Sequence, residues 1–358
     1  MKILFVCLHL PDKAPGQRFR FEQYLGYLAE QGIEYRFSSL LLEKDYPYFY
    51  KKGYFFKKLR ILARGFVKRF REIKKAGDYD IIFIQRESFM LGTSWFERQY
   101  AKKTKLIYDY DDAIWLDLIS GANKVYRFLK NPDKTKEIIK VSGLVIAGNQ
   151  YLADYAKQFN PNVVIIPTTI DTEEYKPAYK LNKNKICIGW SGSFSTIAHF
   201  KTCIEALGII KNKYGSKVYF KVIGDENYIN KELGIQGMAW KKDKEVEDLQ
   251  EIDIGIMPLP DDEWTKGKCG LKGLQYMALA IPTIMSPVGV NTEIIEDGVN
   301  GFLASGTNEW VNKLSRLIES EQLRCQLGAA GRKTVEDKYS VKSQQQVYLE
   351  FFKKLSVH

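Results

Sequence analysis

KGKCGLKGLQYMALAIPTIMSPVGVNTEIIEDGVNGFL, residues 266–303, is the most constraining stretch of this chain. It opens on a glycine-rich loop carrying Lys266, Lys268 and Lys272 and runs straight into an apolar helix predicted over Leu271–Leu279. A short buried strand, Pro282–Met285, follows, then a polar turn and Asp297-Gly298-Val299-Asn300-Gly301. Backbone N–H groups of a glycine loop at a helix N-terminus point at an anion, and neighbouring lysines add charge. The segment therefore reads as a phosphate cradle, Lys268-Cys269-Gly270-Leu271-Lys272, on an α/β scaffold.

The rest of the chain repeats this alternation. Apolar runs at Ile3–Cys7, Tyr35–Ser38, Ile81–Ile84, Leu106–Asp109, Leu144–Ala147 and Val163–Ile166 are continuous, as in parallel strands buried on both faces. Helices are predicted between them at Arg20–Glu30, Phe55–Lys74, Thr93–Lys102 and Tyr151–Gln158, which makes the first half a doubly wound sheet. The polar, Pro-bounded stretch Asp171–Pro177 reads as a linker. A second set of strands follows at Ile186–Trp190, Val218–Ile223, Ile254–Met257 and Thr283–Met285, with helices at Ala198–Lys211, Glu245–Gln250, Leu271–Leu279 and Glu309–Glu319. Two Rossmann-like α/β domains, 1–170 and 178–339, suit a chain of 358 residues, and an amphipathic helix, Ser340–Lys354, closes it.

Composition narrows the class. Hydrophobic residues at 45% and charged residues at 27% are those of a globular protein, and no apolar run approaches the ~18 residues that span a bilayer. The opening apolar run, Ile3–Leu8, is too short for a secretion signal and reads as a first strand, so a cytoplasmic location is expected. Five cysteines without pairing or ligand spacing, and three histidines, argue for a reducing compartment and against a zinc site. The net charge of +11 lies wholly in residues 1–170, which hold 29 Lys and Arg against 18 Asp and Glu. That half is expected to meet something anionic, a membrane surface or a phosphorylated acceptor; no nucleic-acid module is present to favour nucleic acid.

The 266–303 segment resembles the donor-binding core of group-1 (family 4) retaining glycosyltransferases of GT-B fold. The register matches through Leu271, Gln275, Met277, Ala278 and Pro282, then Val288-Gly289-Val290-Asn291, Glu293 and the Asp297–Leu303 ending. The resemblance implies two Rossmann-like domains facing across a cleft, with the C-terminal helix crossing back to the first domain. It implies transfer of a sugar from a nucleotide-sugar donor to a glycan or lipid-linked acceptor, as in bacterial cell-surface polysaccharide synthesis. The reaction would retain anomeric configuration without a metal or other cofactor. Two departures stand out. The family carries two glutamates with seven residues between them, the second on the donor's ribose; here the positions hold Gly267 and Gln275. Glutamine can still hydrogen-bond a ribose hydroxyl, and restoring glutamate is expected to keep donor binding within about tenfold.

Other constellations fit around that core. Gly189, Ser191, Gly192 and Ser193, at the first strand–helix turn of the second domain, would let backbone approach a pyrophosphate. This loop lacks the Arg and Lys that relatives place there, so Lys272, with Lys268, is expected to neutralise the leaving diphosphate. Gly224, after another strand, and Trp240 would wall the nucleobase pocket, although Trp240 equally suits a core position. Asp109, Asp111 and Asp112 end a strand of the first half; they could orient or deprotonate an acceptor, or serve as cap and ion-pair partners. His9, Gly16, Arg18 and Arg20 follow the first strand and are candidates for the acceptor side or an anion. Eleven bases and one acid, Glu72, crowd residues 51–75, where Phe55, Leu59, Leu62, Phe66, Phe70 and Ile73 make an apolar helical stripe. The stripe suits either the sheet or an anionic membrane surface. The rival readings are a sugar-nucleotide epimerase or hydrolase on the same fold, and a non-catalytic nucleotide-sugar sensor or assembly subunit.

Overall fold

The computed structural model describes residues 1–51, 53–116, 131–178 and 185–357. Two compact units emerge, Met1–Thr168 with Gln345–His358, and Thr169–Gln344.

The first unit is built on β1 (Lys2–Cys7), β2 (Glu34–Ser39), β3 (Ile81–Gln85), β4 (Lys105–Tyr110), β5 (Leu144–Ala147) and β6 (Val163–Ile165). They form one parallel sheet in the order β2-β1-β3-β4-β5-β6. All five residues of β3 are buried, which explains why these strands lack polar alternation. Strand order reverses between β1 and β3, so the crevice outside their carboxyl ends is where such a sheet takes a ligand. From Gln345 onward the closing helix, Val341–Val357, belongs to this unit, through Tyr348, which stacks on Tyr24 at 4.5 Å, and Phe352, 6.2 Å from Phe5.

The second unit holds β7 (Ile186–Ser191), β8 (Val218–Ile223), a short antiparallel pair β9 (Ile229–Asn230) and β10 (Ile235–Gln236), β11 (Ile254–Met257), β12 (Thr283–Met285) and β13 (Phe302–Leu303). The main sheet is parallel, in the order β13-β12-β11-β7-β8, and its reversal lies between β7 and β11. The residues of β9, β10 and β13 were not expected as strands, because two-residue strands carry no period. The helix expected over Ala198–Lys211 is broken into Ile197–Lys201 and Ile204–Tyr214. The stretch expected to be a free linker is part of this unit: Tyr175 is fully buried and Arg332 donates to its carbonyl at 2.9 Å.

Candidate functional site

In the second unit the crevice beyond β7 and β11 is floored by the 192–196 loop and entered by the N-terminus of the helix Leu271–Ala278. Gly270 precedes that helix at φ +71, and a Cβ there would stand 2.3 Å from Ile294, so only glycine lets the turn form. Tyr276 ties the helix to the end of β7: its hydroxyl accepts from the Ser191 N–H at 2.7 Å and donates to Ser191 Oγ at 3.3 Å. Burial pushes the Tyr276 phenol up to about 12, which keeps it a neutral donor. Gly224, at φ +107 after β8, brings its backbone against Gly192; a Cβ would lie 1.8 Å from the Gly192 carbonyl oxygen.

Positive charge converges on this loop. Lys272 Nζ lies 5.4 Å from the Trp190 ring and Lys268 Nζ lies 4.4 Å from Trp264, while Lys266 turns away to Glu263 at 2.7 Å. His199, on the helix that follows the loop, is held down to about 4, first by burial and then by Lys272 and Lys268. Among the described residues, its buried Nδ1 and the buried Trp190 Nε1 find no hydrogen-bond partner. Ser193 Oγ meets Ser195 Oγ at 2.8 Å, and the Ser193 N–H donates to Thr196 Oγ1 at 3.0 Å, so hydroxyls line the same turn. Asn291 Oδ1 is a buried acceptor without a partner among the described residues, 3.8 Å from the position a Gly270 Cβ would take. Such an arrangement can hold an anion with two flexible ammonium groups and oriented dipoles, and can stabilise negative charge as it develops.

Some expected residues are also engaged within the fold. Gly189 lies inside β7 with Ile252 2.3 Å from where its Cβ would be, so its small size allows core packing rather than approach to a ligand. Trp240 Nε1 donates to Glu245 Oε1 at 3.0 Å, which fixes the ring in a side-chain network. Gln275 joins the same network: its Nε2 donates to Glu245 Oε1 and to Tyr175 Oη, both at 3.0 Å, and the residue is buried. Leu271 and Cys269 bracket the Gly270 turn, Cys269 being buried. Tyr175 and Glu245 were invisible as site neighbours because they lie 100 and 30 positions from Gln275.

In the first unit, Asp109 and Arg20 are removed from the acceptor side. Both are buried; Arg20 Nη2 meets Asp109 Oδ1 at 2.5 Å and Nη1 donates to the Ile166 carbonyl at 2.5 Å. Burial lifts the Asp109 carboxyl above its ordinary range despite the guanidinium. Arg18 is buried beside the Phe19 ring. The accessible groups at the carboxyl ends of β1, β3 and β4 are others. Arg86, at φ +60, binds Asp111 through Nε at 2.8 Å with 39% of its side chain exposed. Asp112, which is buried, lies 3.9 Å from Arg86 and accepts from the Ala113 N–H. Gly16 packs on this pair: its Cβ would stand 3.0 Å from Asp111 Oδ2. His9 Nε2 lies 3.1 Å from Tyr50 Oη, and burial with Arg86 holds the imidazole down to about 4, so it is neutral. Among the described residues no three of His, Cys, Asp and Glu gather as a metal-binding group.

Residues 171–334 match the family model for glycosyl transferases group 1. The match covers most of the second unit and a little under half of the chain. The chain as a whole is similar to sucrose-phosphate synthase from Thermosynechococcus elongatus, at TM-score 0.71 and 14% identity over 99% of both chains. It is similar to a glycosyltransferase from Rickettsia africae, at 0.68 and 16% over 99% of this chain and 98% of that one. Anabaena HepE, solved with UDP and glucose, matches at 0.64 and 16% over 99% of this chain and all of its own. At such identities the likeness establishes the fold, which is GT-B. No curated protein matches the sequence. The matched segment lies within the unit that carries Lys272, Lys268 and His199.

Proposed function

We propose that this glycosyltransferase moves a hexosyl group from a UDP-sugar to a glycan or lipid-linked acceptor at the inner face of the plasma membrane, in polysaccharide synthesis. The observation that carries the donor half is the convergence of Lys272, Lys268 and His199 on the loop after β7, at a helix N-terminus. That cluster is shaped to hold a diphosphate and to stabilise it as it leaves. The solved relatives that contain UDP support uridine as the base. Retention of configuration and independence of metal rest on the family resemblance, with the two lysines supplying the charge a divalent ion would otherwise provide. The Arg86–Asp111 pair and neutral His9 form the acceptor-side group of the first unit.

Calorimetry with UDP, GDP, ADP and CDP, followed by transfer assays with the corresponding sugars before and after chelator, tests the reading. UDP should bind tightest and chelated enzyme should keep most of its rate. Binding without turnover on any lipid-phosphate or glycan acceptor would favour a sensor, and loss of rate restored by manganese would overturn metal independence.

A further inference from the structure

The helix Phe55–Lys74 presents three faces. Its inward face is Ile61, Gly65 and Arg69, all buried, with Gly65 pressed against Leu40. Arg69 is a polar anchor: it donates to the Ser88 carbonyl at 2.6 Å, the Cys7 carbonyl at 2.7 Å and Ser38 Oγ at 2.7 Å, and pairs with Glu72 at 2.8 Å. The apolar stripe seen in the sequence therefore does not line the sheet. Leu62 and Ile73 tuck partly under the helix, while Phe55, Leu59, Phe66 and Phe70 stand out in solvent with Phe56 and Val67. Phe56 is 83% exposed and Phe55 58%. Trp95 stacks on Phe70 at 6.4 Å and is itself exposed, so the patch continues past the helix.

At 3.6 residues per turn, the third face, beside the apolar one, carries Lys57, Arg60, Arg64 and Arg71, and Lys74 closes the end of the stripe. The one acid of the segment, Glu72, is occupied by Arg69 on the inward side, and Arg64 is paired with Asp45, so Lys57, Arg60, Arg71 and Lys74 carry the outward positive charge. Lys52, one of the eleven bases, lies outside the described residues. A protein rarely leaves so many phenylalanines in water, and the flanking charge decides what covers them. A second copy of the chain would bring the same row of cations to the contact.

We propose that this face docks on an anionic lipid surface, the helix lying in the interface with Phe55, Phe56 and Leu59 among the acyl chains and Lys57, Arg60, Arg71 and Lys74 at the phosphates. An amphipathic helix with bases bordering aromatic and aliphatic groups binds lipid this way, by apolar burial plus attraction to anionic headgroups. The inference deepens the membrane-side reading of the function, but it is tested without turnover, so its failure would leave the donor chemistry standing.

The experiment is sedimentation of the full chain with vesicles of equal phosphatidylglycerol and phosphatidylcholine, and with phosphatidylcholine alone. The protein should sediment with the anionic vesicles at low salt, stay free of the neutral ones, and be released as salt rises. Two variants separate the contributions. Phe55→Ser, Phe56→Ser and Leu59→Ser together remove exposed side chains that hold nothing in the core, and should weaken binding by about tenfold or more. Lys57→Gln, Arg60→Gln, Arg71→Gln and Lys74→Gln together should do the same and flatten the salt dependence. Arg69 is left alone because it anchors the fold, and circular dichroism should show both variants folded. Failure to sediment with anionic vesicles, equal binding to neutral ones, or wild-type binding by both variants overturns the proposal. So does a dimer in analytical ultracentrifugation that the serine variant dissociates while vesicles are ignored.

Discussion

Gln275 Nε2 lies 3.0 Å from Glu245 Oε1. A carboxylate only accepts, so the amide must turn its NH2 toward Glu245, and a second N–H goes to Tyr175 Oη at 3.0 Å. Both donors of Gln275 are thus committed inside the second unit, and its carbonyl oxygen is what remains for a donor hydroxyl.

Restoring the family's glutamate at this position is therefore not neutral. Gln275→Glu sets two carboxylates in contact in a buried network, and one must take up a proton or the network must open. We expect a loss of stability of about 1–3 kcal/mol at pH 8 that shrinks as pH falls and the pair binds a shared proton. Thermal melts at pH 5 and pH 8 check this; a variant equally stable relative to wild type at both pH values would mean Glu245 does not face position 275.

Lys272→Ala should lower kcat by orders of magnitude and weaken UDP binding, with little change in melting temperature, because a half-buried loop-edge lysine contributes little to the core. Lys268→Ala should act in the same sense but less strongly, since its ammonium rests on Trp264 rather than on Trp190 beside the loop. Steady-state kinetics with calorimetry decides, and a larger loss for Lys268→Ala reverses the assignment of the leading cation.

The pH dependence of stability carries a signature of His199. Its imidazole is held down to about 4 in the folded protein against an ordinary 6.5, so the unfolded chain binds a proton first as pH falls. Above the ordinary value both states are neutral and nothing is lost. Between there and about 4 the protein should lose stability, and His199→Asn should flatten part of that loss. His9, also held down to about 4, contributes a second share. Melts of both single variants from pH 7 to pH 4 separate them; parallel curves for wild type and His199→Asn would count against the buried, neutral imidazole.

Arg20→Ala and Asp109→Ala each strand a buried charge and should cost about 3–5 kcal/mol. Denaturant titration measures it. A catalytic Asp109 would instead give an inactive enzyme of normal stability.

The alternation of buried strands and helices was legible residue by residue, because a continuous apolar run, or a 3.6-residue period, is a local property of the chain. β5, β8, β11 and β12 lie where their runs begin and end, and the Gly270 turn is readable for the same reason, since glycine, lysine and helix start are neighbours in sequence. What tertiary structure decided were questions of partnership. Periodicity left the phenylalanine stripe of 55–74 open to either the sheet or a membrane surface, and Arg69 faces inward, because its donors meet carbonyls of Cys7 and Ser88 that only folding brings within reach. For Asp109 the sequence leaves open an acceptor or an ion pair, and the fold pairs it with Arg20, across 89 residues of chain. Gln275 reads as a ribose contact, and Glu245 and Tyr175 take both of its N–H donors, which leaves the carbonyl oxygen. Burial and hydrogen-bond saturation depend on distant segments, so sequence names the residues able to do chemistry and the fold determines which of them are left available for it.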